Sequence, residues 1–419
     1  MQQYRVERPF LAFFAILFCA CSALGSDFLA PPDGARWRQA TITISVSRSI
    51  ETSPNIQGKV LDVLAISIRQ WSAEANIRIQ IVETDVQSVS PKGVKGDRIS
   101  LVSASMTPEN IALFPKHALS PAAVTRVFRD SRGSITEADI ILNPFLRFST
   151  DGTFDTFDLQ DTLTHELGHL LGLGHSPIWG SIMYSRSARS VGPASFSGSR
   201  KNLPRVDAAS IMAIYGQSPS SSTVCCDVVS GRIAGFGASV QQPTVWLEDR
   251  QTGRVIAAST VAADGTYRIE GVPEGEYEVL AAASIEDRNV TGRSSVKVDF
   301  EREASSRFSA KEQPVGFRAF LLGSGPQLAQ LPVKLNERTS FLFLGGDRQF
   351  SEKISRIGLS NTKVFLDLVP DASYSMGGGI RVLGFASNSS SGLSSGEYTL
   401  VIEDTNGVRQ FLVAALIVD

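Results

Sequence analysis

Three of the chain's four histidines fall inside one eleven-residue stretch, His165-Glu166-Leu167-Gly168-His169-Leu170-Leu171-Gly172-Leu173-Gly174-His175. As a pattern this is H-E-x-x-H-x-x-G-x-x-H, which combines metal-ligating side chains, a carboxylate and a turn residue at fixed offsets. Two histidines four apart on a helix face the same way, so His165 and His169 can reach one metal ion. Gly172 can take the left-handed conformation that ends a helix and turns the chain, bringing His175 to the same ion. Three protein ligands leave one coordination position open, which distinguishes a catalytic zinc site from a closed structural one. Glu166 is not needed as a ligand; beside His165 it is placed to act as a general base on a water molecule at that open position.

The element that positions these groups is readable from local signals. Asp158 is a good N-cap, and Asp161 falls in the first helical turn, where carboxylates suit the positive end of the helix. Leu159, Leu163, Leu167, Leu170 and Leu171 then form an apolar face at helical spacing, which reads as core. Met183, in Ser181-Ile182-Met183-Tyr184, comes eight positions after His175.

On these residues the chain resembles the metzincin metallopeptidases, and their matrixin branch in particular. The resemblance implies that Met183 forms the floor beneath the three histidines without binding the metal, and that Tyr184 lies near the pocket for a substrate side chain. Ser176 follows the third histidine, as a serine often does in that branch. Ser185 departs from the proline that usually follows the tyrosine.

The resemblance spans Gly34 to Gly216. Thr41 to Val46, after Arg36-Trp37, alternates with period two and reads as a first strand. Val60 to Trp71 reads as a helix, Ile77 to Val82 and Arg98 to Val102 as strands. Ala123 to Phe128 and Ile135 to Leu142 form a hairpin around Asp130-Ser131-Arg132-Gly133. Val206 to Gly216 resembles the closing helix of matrixin catalytic domains. The strand Val124 to Phe128 is the one a substrate would extend, by the same analogy. Matrixins commonly carry a second, structural zinc; with only His117 left to serve it, that site is expected to be absent. The acidic run Asp151, Asp155, Asp158 and Asp161 offers the oxygen ligands that calcium prefers, with loop and helix-cap roles as the favoured reading.

The N-terminus has the form of an export signal. Arg5 and Arg8 precede an apolar stretch, Phe10 to Cys21, and Ala23-Leu24-Gly25 is a small-x-small cleavage site. Cleavage after Gly25 and a secreted or cell-surface location are expected; lipidation at Cys21 is the alternative, poorly served by Phe18 and Cys19 just upstream. The apolar stretch is short for a span of about 20 residues. Only Cys225 and Cys226 remain beyond the signal, so neither a disulfide scaffold nor latency through a propeptide thiolate is expected. A net charge of −2 argues against nucleic acid or an anionic membrane as the main partner. Protein or peptide substrates and a monomeric state are expected instead.

Ser218 to Thr223 reads as a linker by composition. Beyond it, short strand-like runs (Thr244 to Leu247, Val255 to Thr260, Tyr267 to Ile269, Tyr277 to Ala281) alternate with turn signals. The phrase from Asp264 to Tyr277 resembles the carboxypeptidase-regulatory-like, transthyretin-related module. A polar stretch, Glu301 to Gln313, leads to further strand-like runs at Phe341 to Leu344, Lys363 to Leu368, Arg381 to Phe385, Tyr398 to Glu403 and Phe411 to Val418; the ending, Gly396 through Val418, resembles immunoglobulin-like IPT domains. The expected fold is α+β: a signal over 1–25, a metzincin-like domain over 34–217 with a twisted mixed sheet and three helices, a linker over 218–223, and two all-β sandwiches over 224–303 and 314–419. A chain ending near Gly216 is expected to fold and bind zinc alone. The expected function is an exported zinc endopeptidase; the rival is an adhesion or matrix-binding protein whose peptidase scaffold is silent.

Overall fold

The computed structural model describes residues 35–91, 96–114, 121–185, 202–219, 227–235, 241–285, 288–298, 304–314, 317–324, 327–329, 333–334, 340–346, 354–362, 365–376, 380–386 and 393–418. The expected signal, His117, Cys225, Cys226 and most of the expected linker lie outside these residues. The chain is α+β, with few helices and many strands.

The first region is built on a five-stranded sheet. Its strands are β1 (Ile42–Ser47), β2 (Ile79–Thr84), β3 (Leu101–Ser103), β4 (Ala123–Arg129) and β5 (Ile135–Leu142), in the order β2-β1-β3-β5-β4. All neighbours are parallel except β4, which runs antiparallel to β5 at the end of the sheet. The β4–β5 hairpin turns where Asp130 accepts the amides of Arg132 and Ser134. Three longer helices accompany the sheet: α1 (Val60–Glu74), α2 (Leu159–Leu170) and α3 (Arg205–Tyr215), the last packing on α1 and on strands of the second region. Val60, Val63, Leu64, Ile68 and Trp71 line the buried stripe of α1, as helical periodicity requires. Trp71 then donates its indole N–H to Thr164 O of α2 at 3.0 Å.

The second region has a five-stranded sheet containing Gln241–Asp249 and Gly275–Ile285, and a three-stranded sheet containing Asp227–Ala234 and Thr266–Val272. Both contribute to one apolar core that includes Val229, Val245, Ile269 and Val279. The polar stretch expected to connect the two β regions instead forms strands. Ala304–Ser309 pairs with Asp227–Ala234 and Lys311–Pro314 with Arg288–Val298, so this region runs past its expected end at residue 303. Alternating burial in Ala304–Ser309 is the physical reason: Ala304 and Ser306 turn inward while Ser305 and Arg307 face solvent.

In the third region the described strands join into one nine-stranded sheet, where separate sheets were expected. The strand Phe365–Met376 makes the join. Phe365 and Leu366 pair with Ile354–Leu359, and Asp367 onward pairs with Ile380–Ala386.

The regions share buried contacts. Ile178 and Val206 of the first pack with Trp246, Val255 and Leu280 of the second and Val413 and Ala414 of the third. Arg205 N donates to Glu397 Oε2 at 2.9 Å. Ser218, at the head of the expected linker, is itself docked, its amide donating to Glu74 O at 2.9 Å. No described helix is long and apolar enough to cross a membrane.

Candidate metal centre

The helix that carries the site is fixed at both ends by its own sequence. At its start the Asp158 carboxylate accepts the amides of Gln160 at 2.8 Å and Asp161 at 3.0 Å. This satisfies donors that a helix start leaves open. At its end Gly172 has φ +100°, its amide reaches His169 O, and the Leu173 amide reaches Gly168 O, both at 2.9 Å. That pair of bonds is the Schellman arrangement, which turns the chain back across the helix end. A Cβ on Gly172 would also lie 2.4 Å from Ala35 O, so the position is closed to side chains on two counts.

The turn does what its spacing suggests. His165 and His169 project from one face of α2, and His175 comes back to meet them, with ligand atoms of all three within 4.8 Å of one another. Among the described residues this is the one cluster of its kind. His169 Nε2 and His175 Nε2 are 3.2 Å apart, close to the roughly 3.3 Å separating two ligands on a tetrahedral zinc with bonds of about 2.0–2.1 Å. His165 Nδ1 sits 2.7 Å from Ile182 O and His169 Nδ1 2.9 Å from Leu173 O. A carbonyl can only accept, so each Nδ1 carries the proton and each Nε2 is left with a free lone pair. Burial, and then the neighbouring His169, hold His165 well below its usual pKa, which keeps its ring neutral. Three imidazoles converging on one point, two of them held from behind by backbone carbonyls, fit a zinc ion.

Glu166 is buried at 5% exposure, and that burial raises its pKa above the ordinary carboxylate value. The Thr125 hydroxyl of β4 donates to Glu166 Oε2 at 2.5 Å and lies 3.1 Å from Glu166 O. Thr125 therefore ties the carboxylate to the sheet's end strand. Sequence reading missed it, because a threonine in an alternating strand carries no signal of what it faces.

Met183 is buried beneath the histidines. A Cβ on Gly168 would lie 2.2 Å from Met183 Sδ, so the sulfur rests directly on the helix backbone. The loop holding Met183 is pinned by a residue that the motif did not reveal. Asp207, in the first turn of α3, accepts from Ser181 Oγ at 2.5 Å and from the Ile182 amide at 2.8 Å. Ser181 Oγ in turn receives the Met183 amide at 2.9 Å. The acidic run upstream does not gather into a three-ligand group of the kind the histidines form. Asp158 serves as the cap, and Asp151 accepts from the Thr153 amide and hydroxyl.

The matrixin family model matches residues 115–216, which include the whole histidine cluster, Glu166 and Met183. The chain is similar to Metalloendoproteinase 2-MMP of Arabidopsis thaliana, with 33% identity over 26% of this chain and 23% of that protein. It is also similar to Metalloendoproteinase 1 of Glycine max, with 26% identity over 46% of this chain and 57% of that protein. It thus spans about a quarter and somewhat over half of these relatives' lengths. Among solved structures, the Bacteroides ovatus mixed-linkage glucan protein SGBP-B, in complex with a heptasaccharide, matches 48% of this chain and 45% of its own at 13% identity. Its TM-score is 0.19, too low to support any inference. These comparisons show a matrixin domain over residues 115–216 and support a metalloprotease at the level of the family.

Proposed function

We propose that the chain is an exported zinc-dependent endopeptidase that hydrolyses peptide bonds in proteins, with His165, His169 and His175 as metal ligands and Glu166 as general base. The observation that carries this is the convergence of three imidazoles, two of them oriented by carbonyls, beside a buried carboxylate that is tied to the end strand of the described sheet. When bound, zinc would supply Lewis-acid polarisation of the scissile carbonyl and a lowered pKa for a coordinated water. The protein groups do the rest. Glu166 takes a proton from the attacking water and passes it to the departing amine. Thr125 holds the Glu166 carboxylate at one oxygen, leaving the other for the water. Strand β4 offers its outer edge to an extended substrate, whose backbone would pair with it as an added strand. Met183 supports the ligands from below, and Gly172 makes the turn that delivers His175. The two β-rich regions would act as spacers or as elements that engage a surface.

Glu166→Gln tests the assignment, since it removes the proton acceptor and leaves size, polarity and all three histidines in place. Zinc content should stay near that of the parent, while hydrolysis of an unstructured protein should fall by at least roughly 100-fold, a typical acid–base contribution. A variant that cleaves as fast as the parent removes Glu166 from the mechanism. A parent that binds zinc but cleaves nothing leaves the silent-scaffold reading standing.

A further inference from the structure

The loop Ser176–Ser185 has two faces. One is turned to the metal centre, through Ile182 O on His165 Nδ1 and Met183 under Gly168. The other is turned to the third region. Gly180 N donates to Val413 O, in the strand Arg409–Val418, at 3.0 Å. A Cβ on Gly180 would lie 2.0 Å from Ala414 O and 2.5 Å from Ala414 Cβ, so loop and strand meet backbone to backbone. Ala414 itself has φ +56°, a left-handed conformation that an alanine keeps only where its surroundings impose it.

The two side chains before Gly180, Ile178 and Trp179, reach into the cores of the other regions. Trp179 is 7% exposed and belongs to the third region's core with Tyr398, Leu400, Leu412 and Leu416. Its ring lies 5.6 Å from that of Tyr184, at the other end of the loop. Ile178 is 2% exposed and packs with Trp246, Val413 and Ala414. An apolar residue that only had to close a loop would not need to enter another region's core.

We propose that the third region is a working part of the metal centre: through Trp179 and Gly180 the strand Arg409–Val418 positions the loop that orients His165 and carries Met183. Trp179 and Gly180 are then positioning residues, and the inference rests on reading the three histidines as a zinc site. Shifts of about 1 Å in supporting groups can cost around 100-fold in turnover, and loss of an orienting partner weakens metal binding by roughly 10–100-fold.

The test uses the full chain with Trp179→Ala, Trp179→Phe and Gly180→Ala. Three quantities are measured: the zinc dissociation constant by chelator competition, kcat and KM on an unstructured protein, and hydrogen exchange across Arg409–Val418. Trp179→Ala and Gly180→Ala should weaken zinc binding roughly 10-fold or more and lower kcat with little change in KM. Trp179→Phe should stay near the parent, because the buried Trp179 Nε1 has no hydrogen-bond partner among the described residues. Should Trp179→Ala fail to fold, Gly180→Ala and Trp179→Leu carry the same comparison. Raised exchange in the strand together with parental zinc affinity would overturn the proposal, since the third region would then have come loose without disturbing the site. A parent that binds zinc without cleaving leaves the metal measurement to decide. A parent that binds no zinc sinks the metal reading itself, and the proposal with it.

Discussion

The end of α2 and the junction between the two β-rich regions are both buried and polar, yet they treat their polar groups differently. Around the histidines, His165, His169, Ser181, Asp207 and Glu166 each have a partner that fixes their orientation. At the junction, Glu248 is fully buried with one oxygen on the Trp246 indole N–H at 2.8 Å. Its other oxygen has no hydrogen bond of good geometry among the described residues, although Thr399 and Ser360 lie beside it. Satisfied networks hold a geometry, whereas a partly satisfied one leaves a group whose charge is costly to keep buried. The first arrangement suits a site that must present ligands in one pose. The second suits a joint whose strength depends on protonation.

The largest effect expected on the first side of this comparison comes from His169→Ala. It removes the middle ligand together with the ring that donates to Leu173 O, so zinc and activity should both fall to background. Full-chain folding should survive, because the β-rich cores do not depend on that ring. Metal analysis and a peptide assay on the purified variant decide it. Retention of zinc at parental affinity would mean that the three imidazoles are not the ligand set.

A chain ending near Gly216 sets composition against packing. The Ser-Pro-rich segment after Gly216 predicts an autonomous first region, whereas the burial of Ile178, Trp179 and Val206 against the other regions predicts a dependent one. Fully burying such a side chain contributes about 1.5–3 kcal/mol. Exposing all three would therefore remove roughly 4.5–9 kcal/mol from a domain whose whole stability is of order 5–15. The shortened chain should be poorly soluble, melt well below the full chain and hold zinc more weakly. If it is soluble and binds zinc as the full chain does, the linker reading is right and the interface is incidental.

What was legible in the sequence follows the same division. The ligands, the helix cap at Asp158 and the turn at Gly172 are written within about one helix length, where residue type and spacing determine geometry. The hairpin around Asp130 and the strands Val255–Thr260, Arg381–Phe385 and Phe411–Val418 were readable for the same local reason. Thr125 and Asp207 were not, since each works through a partner 41 or about 25 positions away in the chain. Nor was Trp179, whose partners in the third region are more distant still. The strand Ala304–Ser309 reads as a connector because its inward positions, Ala304 and Ser306, are small and only one of them is apolar, which hides its alternation. Long-range pairing leaves no periodicity of its own in a single sequence.

At the junction, burial pushes Glu248 up to about 7 from an ordinary 4.5. A carboxyl with a raised pKa in the folded state holds its proton there after the unfolded chain has lost it. Its contribution is therefore fully present below about pH 4.5 and is lost as pH rises towards 7, a swing of about 3 kcal/mol. Glu248→Gln keeps an acceptor for the Trp246 N–H and removes the titration. The variant should gain stability over the parent on going from pH 5 to pH 8, by up to that amount, in urea unfolding of the full chain. A difference between variant and parent that stays constant with pH would show that Glu248 ionises without penalty, and the contrast between the two places would then fail.

The smallest expected effect tests whether α2's own ends matter less to the metal than the loop beneath it. Asp158 caps α2 through the amides of Gln160 and Asp161, and losing such a cap costs about 1 kcal/mol. The helix is also held from outside, by the indole N–H groups of Trp37 on Leu170 O and Trp71 on Thr164 O and by the Tyr215 hydroxyl on Leu171 O. These bonds act near the histidines, while the cap lies nearly two turns before His165. Asp158→Ala should therefore lower Tm by about 2–4 °C and leave zinc affinity within a few-fold of the parent. Asp158→Asn, which can still accept both amides, should lose less. The same melting curves with and without calcium address the acidic run. A calcium-dependent rise in Tm that Asp158→Ala abolishes would make Asp158 a cation ligand and not a cap. A loss of zinc affinity as large as that expected of Trp179→Ala would instead show that the helix start, and not the loop, sets the geometry of the site.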